Sequence, residues 1–491
     1  MRIVGLEKLQ DHYDVVIIGS GIAGLTCGVY LAKHGMKVLI VEYHNVPGGF
    51  CTSFIRGNFT FDVGVHYFGN VSEYGVMGSF MRDIGIDRLL NLTRIDPSDV
   101  IITPDKPIEF RNDFEETVQN LQDAFPAEAK QIDLLCRSMN NDNFLVIYKQ
   151  FRNKTFRMVL DAYFNDEKLK QVFCVMLGNI GLPSTMVSAL TAAVMYRDYV
   201  FRGGHYPIGG IQRFPDAIVR KFVEYGGDIL LNKEISKISI VNNEVNGVLV
   251  CDKYFISCDY AVSNCSARQT FLNLIGSEFL PSDLREKLNR LLPSPSCFTV
   301  YFSLKGSLKG SPNIYSNVWY CPDYNIDKAY HDCMHNKVNT DGFLFCALPS
   351  MHDPSLAPDG YECGHLIILS PCMDEEYWSM NIGRIQDKLI RRANDIIPGF
   401  SNKLHETYPA TPFTIQRFTK ADRGAIYGWA STLDQNGSTI ESRTFIDNLF
   451  LAGHWTTLES GQGGITMVVL SGRNVAKTIL TKRLQILNPC L

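Results

Sequence analysis

The chain has 491 residues, a formal net charge of −4, 45% hydrophobic and 20% charged residues, long enough for two or three domains with sizeable cores. No basic excess points to a nucleic-acid partner, and no charged tail offers a docking arm. The fourteen cysteines include no C-x-x-C pair. The opening MRIVGLEKLQDHYD has no apolar run of signal length, so the reading is a cytoplasmic chain with reduced thiols.

In chain order, Val15 to Ile18 is a short β-branched run, the composition of a strand buried on both faces. Gly19, Gly21 and Gly24 follow in the G-x-G-x-x-G spacing. That spacing gives a tight turn, close backbone approach to a pyrophosphate, and close packing of helix on sheet. A helix with Ile22, Leu25, Val29 and Leu31 among its apolar positions runs to about Gly35, its N-terminal N–H groups favouring an anion. Met36 to Val41 is the next strand, and Glu42 at its end suits the hydroxyls of an adenosine ribose. The unit predicts an adenine dinucleotide.

Gly48 and Gly49 close the following loop. From Asn58 to Tyr67, Phe59, Phe61, Val63 and Val65 alternate with Thr60, Asp62, Gly64 and His66, the period of a half-buried strand. The bare Gly64 lets something flat lie against the backbone. His66 is a candidate catalytic group, with a satisfied core histidine as the alternative.

Residues 75–200 predict a helix-rich layer, with helices over Phe114 to Phe125 and Ile132 to Tyr148 around Pro126. No residue from Gln171 to Tyr196 is charged. Its polar interruptions predict two short buried helices broken at Gly181-Leu182-Pro183, lining an apolar cavity or resting on a bilayer.

After the glycines at 203, 204, 209 and 210 comes a helix carrying Phe214, Ile218 and Phe222, ended by Gly226-Gly227. Strands then read over 229–231, 235–241, 245–250 and 254–257, with Asn242-Asn243 as a tight turn and a further strand over 260–264. Cys251, Cys258 and Cys265 read as thiols rather than metal ligands. Residues 290–415 hold strands over 297–304 and 343–347, and Cys333, His335, Cys346, His352, Cys363 and His365 without finger or ribbon spacing, so no metal is expected. Near the end, Asn448 to Ala452 reads as a strand, followed by Gly453, His454, Trp455, a turn from Gly461 to Gly464, and a helix from Ile465 to Leu480. This aims a second helix N-terminus at the ligand, where it would stabilise the negative charge of a ring such as a reduced isoalloxazine, with a plain closing βα unit as the alternative. No second G-x-G-x-x-G follows a strand, so electrons come from the substrate, a free carrier or another protein.

The N-terminal block with Pro47-Gly48-Gly49, FDVGVHYF, GGHYPIGGIQRF, TPFTIQRFTKADRGAIYG and LFLAGHWTTLESGQGGITMVVLSGR together resemble the phytoene desaturase, carotenoid isomerase and retinol saturase branch of the flavoprotein amine oxidase superfamily. The resemblance covers nearly the whole chain. It implies an α/β fold: a discontinuous Rossmann-type FAD-binding domain of the GR2 kind (1–75, 203–290 and 416–491) and a mixed α+β substrate-binding domain (76–202 and 291–415). FAD would be non-covalent and extended, held at Gly19, Gly21, Gly24, Glu42, Gly49, Ile235, Gly453, Gly463 and Ile465. Ile22, Ala23, Tyr43, Gly48, Gly64, Val65, His66, Asn264, His454 and Gly464 complete the expected contacts, and Arg56 would lie near the pyrophosphate or the flavin. His66 and Trp455 are the catalytic candidates, Trp455 as a wall. The implied substrate is a long apolar polyene, with peripheral membrane contact near 171–196 and no named electron carrier. An amine or unsaturated fatty acid oxidase is the second reading, and a prenyl-binding protein of the Rab GDP-dissociation inhibitor type the third.

Overall fold

The computed structural model describes residues 5–456 and 464–487. Two seven-stranded sheets organise it. The first is built on the expected βαβ unit: β1 (His12–Ile18), α1 (Ile22–Lys33) and β2 (Val38–Val41). β1 lies parallel to β2 with Val15 opposite Val38, and parallel to strand Tyr254–Ser263 with Val15 opposite Tyr260. Strand Asp228–Leu230 extends the sheet beyond β2, and the late strand Leu449–Leu451 joins it in parallel beside Ala261 to Ser263. Every residue of β2 is buried, as a strand covered on both faces requires.

Strands Ile235–Val241 and Glu244–Val250 form the predicted hairpin, and both Asn242 and Asn243 take positive φ in the turn. The two strands expected over 254–257 and 260–264 are one ten-residue strand. Asp259, a poor strand former, is exposed at the join, and its carbonyl accepts Asn448 Nδ2 at 2.6 Å.

One face of this sheet carries α1, helix Arg213–Glu224 and the C-terminal helix Ile465–Leu487. The last runs seven residues past the expected end at Leu480. A Cβ on Gly472 of that helix would lie 2.2 Å from the carbonyl oxygen of Ala23, so only glycine lets the first and last helices pack this closely.

The hairpin of β3 (Ser53–Arg56) and β4 (Phe59–Asp62) leaves the sheet. The strand expected to Tyr67 stops at Asp62, whose buried carboxylate accepts Ser53 Oγ, Tyr206 OH and the Ile211 N–H and pins the chain there. Residues 63–67 then form no regular strand; the Val63 N–H donates to the Thr52 carbonyl, Tyr301 OH donates to the Val63 carbonyl, and Tyr67 is buried.

The second sheet joins segments far apart in sequence: strand Asp99–Ile102 runs parallel to Asn317–Tyr320. Its strand Ser296–Lys305 is buried on both faces. Phe298, Val300 and Phe302 pack with Trp378 and Phe400, while Cys297, Thr299 and Tyr301 face a cavity. The helix expected over 132–148 is two, Ala129–Met139 and Phe144–Phe151. Asn143 breaks it by capping the second helix through the Leu145 N–H at 3.0 Å, and Arg202 holds Asn140.

The uncharged stretch breaks where expected, between Glu167–Val175 with its 3-10 extension Met176–Asn179 and the helix Ala189–Met195; Gly181 has φ +83°. Asp327 fixes the break by accepting the Ser184 N–H at 2.8 Å and its hydroxyl. No helix among the described residues is long and apolar enough to cross a membrane. The described cysteines are unpaired thiols.

Candidate functional site

Three adjoining cavities of about 240, 130 and 90 Å³ meet at Gly64 and Tyr427. The first is made largely of backbone. Of the N–H groups that open α1, that of Gly24 donates to Asn264 Oδ1 at 3.0 Å and that of Leu25 to the Gly21 carbonyl, leaving those of Ile22 and Ala23 at the cavity. A Cβ on Gly21 would lie 2.6 Å from Asn264 Oδ1, and one on Gly49 3.2 Å from Gly21 Cα. Gly19, Gly48 and Gly49 therefore form a bare floor around the helix start.

Asn264 is the clasp of this region. Its N–H donates to the Ile18 carbonyl and its Nδ2 to the Ala452 carbonyl, so one side chain ties β1, α1 and the late strand together. Gly453 follows with φ +107°, its N–H donating to Ser471 Oγ of the C-terminal helix.

At the other end of the cavity Glu42 is held rigidly. Oε2 accepts the N–H and hydroxyl of Ser20, each at 2.7 Å, and Oε1 accepts the His44 N–H at 2.7 Å. A carboxylate has about four acceptor positions, so it can still receive ribose hydroxyls. Tyr43 and Ile235 stand beside it, and Lys420 lies 4.6 Å over the Tyr43 ring and 3.2 Å from Glu234. Lys233 and Lys420 are the cations among the described lining residues. No side-chain cation among the described residues lines the helix start, so a pyrophosphate there would be neutralised by backbone N–H groups and the helix dipole.

Toward the junction, Gly64, Val65, His454, Gly464 and Ile465 line the first cavity. Among the described residues a Cβ on Gly464 would meet nothing within 4 Å, so these leave room for a flat ring at the start of the second helix. Burial lowers the His454 pKa to about 4, keeping the ring neutral beside Phe50. These features fit an extended dinucleotide with a flat ring at its far end. Gly463 lies outside the described residues.

Two expected placements need correction. Arg56 is exposed at the tip of the β3–β4 hairpin, lying over Phe54 and donating to the Ile55 carbonyl. It lines none of the three cavities, because a guanidinium at a hairpin tip stays hydrated at no cost. Trp455 lines the first cavity but neither of the others. Its ring is locked edge-on against Trp429, whose Nε1 donates to the Trp455 carbonyl at 2.9 Å.

The second and third cavities are two arms that share Gly64, His66, Asn179 and Tyr427. One arm is walled by Trp319, Phe343, Phe345, Ile367 and Leu369. The other has Tyr67, Ile180, Val194 and Tyr199, with Asp198 paired to Arg197 at 2.6 Å. His66 lies on both arms and not on the first cavity.

Behind the walls, Asp99 accepts Tyr67 OH on one oxygen and Trp319 Nε1 at 2.8 Å on the other, fixing one aromatic in each arm. Burial raises its pKa to about 7 against the opposing pull of those bonds. Tyr427, which the sequence reading did not single out, touches all three cavities and donates to the Gly178 carbonyl at 2.8 Å. It lies in the segment TPFTIQRFTKADRGAIYG quoted above, and the signal was there without a geometry to use it. Phe50 and Phe418 were missed in the same way.

A glycine-floored dinucleotide cradle, a ribose-side carboxylate and a second helix start at the far end define a flavin-binding oxidoreductase. Residues 22–480 match the family of flavin-containing amine oxidoreductases. The chain belongs to that family, and its cofactor is FAD. It is 22% identical over 525 residues to the all-trans-retinol 13,14-reductase of Danio rerio, covering 95% of this chain and 86% of that relative. It is 24% identical over 468 residues to the chloroplastic prolycopene isomerase 1 of an Oncidium hybrid cultivar, covering 86% and 76%. An oxidoreductase structure from Methanosarcina mazei is similar with a TM-score of 0.69 and 18% identity, covering 94% of this chain and 99% of that one, a likeness of fold.

Proposed function

We propose that the protein is an FAD-dependent oxidoreductase or isomerase acting on a double bond of a long polyene or isoprenoid. The observation that carries this is the two-armed apolar cavity opening onto the cofactor cradle at Gly64 and Tyr427. Bound FAD supplies two-electron transfer at its N5 position. The chain's own part is placement. Trp319, Phe343 and Phe345 take one end of a rod-like molecule, Ile180, Val194 and Tyr199 the other, and the bare Gly64 lets its middle lie against the flavin edge. Apolar walls exclude water from that contact.

Relatives named for retinol reduction and prolycopene isomerisation support the substrate class. The amine reading is less favoured, because Asp198, the carboxylate lining the arms, already pairs with Arg197. The fatty-acid reading lacks a lysine or arginine among the described lining residues of either arm. A cradle suited to a dinucleotide argues against a flavin-free prenyl binder.

The test incubates oxidised and reduced holoprotein with a panel of carotenes and retinoids, followed by chromatography and mass measurement. A product differing by two hydrogens, or an isomer of equal mass, supports the proposal. Flavin-loaded protein that converts no polyene in either redox state overturns it.

A further inference from the structure

Where the arms meet, two imidazoles share a proton inventory that the surroundings constrain. His365, on strand Tyr361–Ser370, is 1% exposed. Its Nε2 lies 3.2 Å from His66 Nδ1. Its Nδ1 is buried with no hydrogen-bond partner among the described residues. Burial holds both rings neutral, with the His66 pKa lowered to about 4 and that of His365 well below the ordinary histidine value.

A neutral imidazole carries one N–H. If His66 donates along the shared line, His365 must carry its own proton on Nδ1, an N–H buried with no acceptor. If His365 donates from Nε2, its Nδ1 is a bare lone pair, and His66 carries its proton on Nε2. Orphaned buried N–H groups are rarer than under-used acceptors, and leaving a donor unmade is costly. The second arrangement follows. The His66 ring lines both arms.

We propose that His365 is a positioning residue fixing His66 as an Nε2–H donor, and that this donor receives a hydroxyl or carbonyl oxygen of the substrate. The substrate is then an oxygen-bearing isoprenoid, an alcohol or aldehyde, and not a pure hydrocarbon. This rests on the reading of the arms as a polyene site. A hydrocarbon would leave the desolvated N–H unpaired, whereas an oxygen satisfies it. The Tyr67 arm, with Thr191 and Asp198 in its wall, suits the oxygen-bearing end; the arm of Trp319, Phe343 and Phe345 suits the apolar end.

The test measures binding of all-trans-retinol, retinal and the deoxy hydrocarbon of the same skeleton to holoprotein, in wild type, His66→Phe, His365→Leu and His365→Gln. Wild type should prefer retinol or retinal to the hydrocarbon by about tenfold, the worth of one buried hydrogen bond. The comparison of the two oxygenated probes separates alcohol from aldehyde. His66→Phe and His365→Leu should abolish the preference, His365→Leu without changing hydrocarbon affinity because His365 lines neither arm, and His365→Gln, which can still donate to His66 Nδ1, should restore it. Nitrogen-15 spectra of histidine-labelled protein should show His66 protonated on Nε2, a state lost in His365→Leu. Equal affinity for all three probes, or a His66 proton on Nδ1, overturns the inference and leaves the polyene reading standing. Failure to bind any of the three also overturns the inference, and the carotene arm of the earlier panel then decides the polyene reading separately.

Discussion

The cofactor cradle and the two-armed cavity are built from different materials. In the cradle, backbone does the holding: glycines at 19, 21, 48 and 49, the first N–H groups of α1, and the Asn264 clasp. In the arms, side chains do it: Trp319, Tyr427, Tyr67 and His66, contributed by segments that meet only after folding. A site made of backbone tolerates little substitution at its glycines, because an added Cβ collides at Gly21 and Gly48, and the positive φ of Gly19, Gly48 and Gly49 strains any other residue. A site made of side chains can be reshaped one residue at a time without disturbing the cofactor.

Experiments that break or sharpen this contrast rank as follows. Gly21→Val should abolish FAD binding, since its Cβ would lie 2.6 Å from Asn264 Oδ1. Purified variant with its yellow colour intact would remove the pyrophosphate from the α1 start. Glu42→Ala deletes a charge-assisted acceptor, a loss of about 1.5–3 kcal/mol. Its FAD affinity, followed by flavin fluorescence, should fall roughly tenfold to a hundredfold. Unchanged affinity would refute the ribose role.

Asp62 offers a pH test. Burial raises its pKa to about 6, against the opposing hydrogen bonds from Ser53, Tyr206 and Ile211. The folded state therefore holds a proton that the unfolded state releases near pH 4. Between about pH 4 and 6 the native protein binds more protons, so this carboxyl's contribution to stability falls as pH rises, by up to about 3 kcal/mol. Asp62→Asn should gain stability relative to wild type across that window and hold the gain above it, in urea titrations at both ends. A pH-independent difference would show that the carboxylate is fully stabilised where it sits.

Tyr427→Phe loses the bond to Gly178, about 1 kcal/mol. It should lower turnover while leaving FAD content intact; loss of flavin instead would show that its contact with the first cavity serves the cofactor. Arg56→Ala should change neither FAD content nor stability by more than about 0.5 kcal/mol. A fall in flavin retention would reinstate the role its exposed position denies it.

The same contrast explains what could be read in the chain beforehand. Gly19 to Glu42 and, among the described residues, Gly453 and the helix from Ile465 were legible because a backbone site leaves its mark as local spacing of glycines, strand and helix. His66 was legible as an oddity on an apolar alternation, but its partner is 299 residues away on another strand. Trp319 and Asp99 meet through a parallel pairing of strands from separate segments, and no local pattern announces such a pairing. Arg56 misled for the opposite reason. It stood close in sequence to the glycine loop, and the hairpin then carried it to the surface.

The Asn264 side chain has a consequence for the order of assembly. Its amide reaches forward to Ala452 and back to Gly24, so the pocket floor is finished only once the chain through Ala452 has been made. Flavin uptake thus reports that these segments have met: a nascent or truncated chain lacking strand Leu449–Leu451 and helix Ile465–Leu487 should stay colourless.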